Sequence, residues 1–80
     1  MDDKVIMDPM EIYKLMILGR DWYYNKLINI ENDLTTIEKN PNIKFYTAHT
    51  LLTIEKAKCN EEIEEATKTI DTFKKAHNLY

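Results

Sequence analysis

Asn40-Pro41-Asn42 separates two long stretches that both read as helix, and its chemistry decides how they are joined. Proline suits the first position of a helix and asparagine caps exposed N–H groups, so the tripeptide is fit to open a second helix. The residue before a proline is biased away from helical geometry, which ends the first helix at about Lys39. The expectation is a helix, a tight reversal, and a second helix running back antiparallel to the first. Asn42-Ile43-Lys44 leaves open an alternative in which the second helix begins a few residues later.

Working back toward the N-terminus, Asp8-Pro9-Met10-Glu11 is a helix start. Asp8 is placed to cap, Pro9 occupies the first helical position, and Glu11 lies where it reaches back to the cap. Met7 and Ile12 have the spacing of a hydrophobic staple across it. The first helix is therefore expected over about 9–39, preceded by a short flexible arm, 1–7. Tyr23, Leu27, Ile30, Leu34 and Ile37 recur at alternating steps of four and three, a stripe that faces one partner helix. Before Tyr24 the pattern changes. Met10, Ile12, Leu15, Met16, Ile17, Leu18, Trp22, Tyr23 and Tyr24 surround most of the helix. A helix that is apolar nearly all round needs more than one neighbour. Gly19 lies inside this region at a cost of about 1 kcal/mol relative to alanine. Close helix packing or a slight bend is the preferred reading of it, and room for a ligand the alternative.

Working forward, Phe45, Ala48, Leu52, Cys59, Ile63, Ala66, Ile70 and Phe73 give a second helix, about 41–77, its main apolar face. Lys74, Lys75 and His77 complement the helix dipole at its end. Rods of roughly 45–55 Å touch along one side only, so a lone hairpin leaves apolar surface wet. The whole chain, 1–80, reads as one all-α helical-hairpin domain that assembles into a homo-oligomer. One glycine and two prolines leave little material for the turns of a sheet.

The formal charge of −3 argues against broad, salt-driven binding of duplex nucleic acid. It leaves room for a small anion held by a few local bases. The single Cys59 has no partner for an intramolecular disulfide, and no apolar run has the length of a signal peptide or a membrane span. A reducing cytoplasm without membrane attachment is the expected setting.

The residues with the most to offer a ligand are Tyr13, Lys14, Arg20, Trp22, Tyr23, Tyr24 and Lys26. Aromatic faces stack on nucleobases, and lysine and arginine meet phosphates through charge-assisted bonds. The plainer reading makes the aromatics oligomer core and the bases solvated surface. A reversal centred on Pro41 would set Lys26 near Lys56 and Lys58, and Trp22 near Asn60, gathering bases at one level. Glu55, Glu61 and Glu62 lie close enough to oppose that convergence. The acidic run Glu61, Glu62, Glu64, Glu65 reads as a solvated face, because no histidine stands at metal-ligand spacing from it. Neither a nucleophile–base pair nor a glycine-rich phosphate loop is present. The expectation is a protein with no catalytic activity, no metal and no cofactor.

Ala48-His49-Thr50-Leu51-Leu52, then Ile54-Glu55-Lys56-Ala57, then Asn60 and Ile63, resembles the second helix of the phage anti-CBASS sponge family. There, too, the helix follows a proline-containing reversal after a first long helix. The resemblance covers about residues 10–66. Lys58-Cys59 stands where many members carry Trp-Ala, and the stretch after Ala66 is longer than usual. The resemblance implies a phage protein acting in the host cytoplasm without catalysis. Such sponges are helical oligomers, commonly hexamers, that sequester cyclic di- or trinucleotides and so keep host effectors inactive. They hold cyclic dinucleotides at subunit interfaces with a tyrosine and a lysine of the first helix, for which Tyr13 and Lys26 are the nearest candidates. On this expectation Tyr13 and Trp22 stack or pack on bases, while Lys26, with Arg20 or Lys14, neutralises phosphates. The rival expectation is an interaction protein, a helical hairpin that binds or inhibits another protein through its apolar N-terminal face.

Overall fold

The computed structural model describes residues 7–79. Two α-helices account for most of them: α1, Pro9–Lys39, and α2, Tyr46–Ala76. No strand occurs among the described residues. Helix α1 begins as its sequence dictates. Asp8 is extended and its side chain accepts from the Met10 N–H, while its carbonyl accepts from Glu11 and Ile12. No bond from the Glu11 side chain back to Asp8 is formed, so the cap is one-sided. Of the expected arm, only Met7, half-buried, lies within the described residues.

The reversal differs from the expected tight turn. Asn40 closes α1 as its C-cap, its N–H bonded to the Ile37 carbonyl, and does not open α2. Pro41 lies outside both helices. Asn42 is extended, and its Oδ1 accepts from the Lys44 N–H at 2.9 Å. That bond starts a single 3-10 turn, Ile43–Phe45, so α2 begins at Tyr46 rather than near 41. The physical reason is local competition: a short amide side chain two residues before a free N–H captures it, and the tight 3-10 turn results before the α-helix begins.

Cross-helix partners establish an antiparallel hairpin. Glu38 meets His49, Glu31 meets Lys56 and Arg20 meets Thr67, and in each pair the residue numbers add to 87. Lys26 meets Glu55 on the other edge, with a sum of 81. Along the first edge the partners thus lie several residues further along α2 than a turn centred on Pro41 would set, whereas Lys26–Glu55 stays within one residue of that register. The seam is the expected one. Ile30, Leu34 and Cys59 form a buried cluster against which Tyr23, Leu27 and Leu52 pack. Ile63 and Ile70 extend the buried line along α2. The molecule is a slab of 57 × 31 × 14 Å, one helix layer thick.

A single layer leaves much apolar surface uncovered. Leu15, Leu18 and Trp22 on α1 are 52%, 62% and 58% exposed. Met10, Tyr24 and Ile28 are exposed as well, as are Leu51 and Ile54 on α2.

Candidate functional site

The structure divides the five candidate residues among three positions around α1. Helical spacing governs this: residues three, four or seven apart share a face, and others turn away. Trp22 and Lys26, four apart, stand on one edge of α1, where the Lys26 ammonium lies 5.4 Å from the centre of the indole ring. Such a cation–π contact is worth about 0.5–1 kcal/mol at an exposed site. Tyr23 meets Trp22 edge to face at 4.9 Å between ring centres, which steadies the indole while leaving it exposed. The result is a flat aromatic surface with a cation at its margin.

Arg20 and Tyr13 belong to the other edge. The Arg20 guanidinium lies 5.9 Å from the Tyr24 ring centre and donates from Nη1 to Thr67 Oγ1 at 3.3 Å. Its Nε is buried and has no hydrogen-bond partner. Tyr13 is seven residues before Arg20, two turns away along the same edge, and is half-buried. Lys14 is exposed on the outer side of α1. A single chain therefore does not bring Tyr13, Lys14 and Arg20 to the Trp22–Lys26 pair.

The convergence of lysines is also altered. Lys26 Nζ lies 3.3 Å from Glu55 Oε2, and Lys58 approaches the other oxygen of the same carboxylate at 4.0 Å. Lys56 is on the opposite edge, 3.5 Å from Glu31. Each of the three bases has an acid beside it: Lys26 keeps nearly the expected level on α2, but Glu55 faces it while Lys56, one residue on, turns to the opposite edge. The pairs are about 40% exposed or more on both sides, so they are weak and open to exchange with another anion.

Of the hollows, one at the reversal has no counterpart in the sequence reading, and one at Gly19 matches the alternative reading of that residue as open space. The larger, about 610 Å³, lies at the reversal between Ile37, Pro41, Ile43, Phe45, Tyr46 and His49. The close run of Ile43, Phe45 and Tyr46 is the signal that could have pointed to it. Another, about 380 Å³, opens over Gly19, with Met16, Arg20 and Tyr23 on α1 and Glu62, Glu65 and Ala66 on α2. A Cβ built on Gly19 meets nothing within 4 Å, so Gly19 is not a point of close packing within the hairpin. It contributes open space. Neither hollow contains Trp22 or Lys26, whose exposed pair forms a surface rather than a cavity.

Among the described residues no group of three or more histidines, cysteines or carboxylates is arranged to hold a metal ion. No described helix is long and apolar enough to cross a membrane. Comparisons with protein-family models, curated proteins and solved structures find no match to this chain.

Proposed function

We propose that this protein sequesters cyclic oligonucleotide messengers without degrading them, holding them between copies of the hairpin, and so counters CBASS-type immunity in the host of a phage. The observation that carries this reading is the exposed Trp22 ring with the Lys26 ammonium beside it. A cyclic dinucleotide offers flat bases and two phosphates in a compact ring. An aromatic face stacks on the first and a cation meets the second, each contributing a few kcal/mol at most. One chain supplies one such pair, and a two-fold assembly supplies two. The resemblance of residues 48–63 to the sponge family supports the same reading.

To reach a phosphate, Lys26 must leave Glu55. Both side chains are about two-fifths exposed, so the exchange costs little. This gives opposite expectations for two substitutions. Lys26→Ala should reduce affinity for a cyclic dinucleotide at least about tenfold, the equivalent of one charge-assisted contact. Glu55→Gln, which removes the competing anion, should strengthen binding. Lys39→Ala, at the far end of α1, is the matched control. Calorimetric titration with a panel of cyclic di- and trinucleotides measures all four proteins, and recovery of intact ligand after denaturation separates sequestration from cleavage. Equal affinity of the Lys26 and Lys39 variants would show that Lys26 is an ordinary surface lysine.

A second reading rests on Leu15, Leu18, Met10 and Ile28, which are exposed and offer nothing specific to a nucleotide. They suit a protein partner. Silence across the nucleotide panel would favour a hairpin that binds another protein through this face.

A further inference from the structure

We infer that the α1 face centred on Leu18 and Gly19 docks on the same face of a second copy, with the two α1 helices antiparallel about a two-fold axis. This goes beyond the sequestration reading and stands without it. Leu15, Leu18 and Trp22, at steps of three and four, form one exposed stripe. Gly19 lies beside that stripe, framed on its own helix by Leu15, Met16, Trp22 and Tyr23 at three and four residues on either side. Those four positions enclose the kind of hole into which a facing helix sets a knob. The hole is empty from within the hairpin, since a Cβ on Gly19 would touch nothing. A knob and a hole are therefore adjacent in sequence. An antiparallel two-fold between residues 18 and 19 sets Leu18 of each copy over the partner's Gly19, and Leu15 over the partner's Trp22.

Charge selects the direction. Lys14 and Asp21 flank Leu18 at four residues before and three after, on the outer margin of the stripe. Both are exposed, and neither forms an ion pair among the described residues. A parallel two-fold would set the outer margins of the two copies on opposite sides of the contact, so that Lys14 and Asp21 would gain no partner from each other. The antiparallel one brings Lys14 within a lysine's reach of the partner's Asp21, and symmetry repeats the pair. Charge complementarity across an interface fixes register and orientation, so the margin favours the antiparallel direction, the one that pairs these charges. The stripe, the hole and the charges are thus self-complementary, and the occupant they fit is a second copy of this chain. Trp22 falls at the end of the contact, which leaves Lys26 one turn beyond it.

Charge reversal tests the pairing directly. Sedimentation equilibrium of the natural chain should give a dimer or an even multiple of it. Lys14→Glu or Asp21→Lys alone should raise the dissociation constant at least about tenfold, because each sets like charges opposite at both symmetry-related positions. The double variant should recover the natural value. Circular dichroism confirms that each chain remains helical. Leu18→Cys provides a second measurement, since a residue beside the two-fold axis meets its own copy and should form an intermolecular disulfide under mild oxidation. A monomeric natural chain, single reversals without effect, a double variant that does not recover, or a helical Leu18→Cys chain that fails to cross-link would each overturn the inference. Nucleotide titrations are read independently, so failure here is distinguishable from failure of the sequestration reading.

Discussion

Gly19 shows how far a single residue's meaning depends on its surroundings. In an exposed helix interior glycine costs about 1 kcal/mol relative to alanine through backbone freedom alone. Nothing in the hairpin requires its small size, because an added methyl would stand in open space. Gly19→Ala should therefore stabilise an isolated hairpin by about 1 kcal/mol, read as a higher urea midpoint in the Lys14→Glu background. In the natural background the same methyl fills the hole that receives Leu18, and association should weaken. Gain in both backgrounds would mean that no neighbour uses the space. The glycine's cost was legible in the sequence, but not what surrounds it. Arg20 teaches the same lesson in the opposite sense. It was grouped with Trp22 as a base near aromatics, and it does lie over an aromatic ring, yet that ring is Tyr24 on the other edge of α1. Two residues of separation turn side chains to opposite sides of a helix, so proximity along the chain overstated proximity in space.

At the scale of the element, helix interiors and the first helix start followed from periodicity and capping chemistry. Asp8 caps α1, and Asp8→Ala should cost about 1 kcal/mol, measured as a lower urea midpoint. An unchanged midpoint would mean that Met10 N–H finds another acceptor. The connection was less legible. Asn40 and Asn42 flank the same proline and each has the chemistry of a cap, so local sequence alone does not say which helix each one serves. In the structure Asn40 ends α1, and Asn42 captures the Lys44 N–H to begin a 3-10 turn. The consequence extends the length of the hairpin. Six residues separate α1 from α2, and along the Arg20–Glu38 edge the cross-helix partners move with them. On the other edge Lys26 keeps nearly its expected level and meets Glu55, because Lys56 turns to the far edge beside Glu31, so the expected gathering of lysines does not occur.

The molecule as a whole has one internal seam and two broad faces, a consequence of placing two rods side by side in a slab 14 Å thick. With so few buried residues, each one matters. Leu34→Ala, in the cluster with Ile30 and Cys59, should cost about 2–5 kcal/mol, enough to lower the thermal midpoint by many degrees or abolish cooperative melting. A change of less than about 1 kcal/mol would mean that stability resides in contacts between copies instead. The need for further cover was legible in the apolar residues that encircle the first half of α1; their arrangement into separate stripes was not, because it depends on where α2 lies. The seam also holds the chain's single thiol. Cys59 is 2% exposed, against Ile30 and Leu34, so a reagent reaches it only when α1 and α2 part. The sulfur is thus a natural clock for separation of the helices, its labelling rate set by the population of opened molecules. Diluting the unaltered protein while following that rate would reveal how far each hairpin's closure depends on the company of other copies.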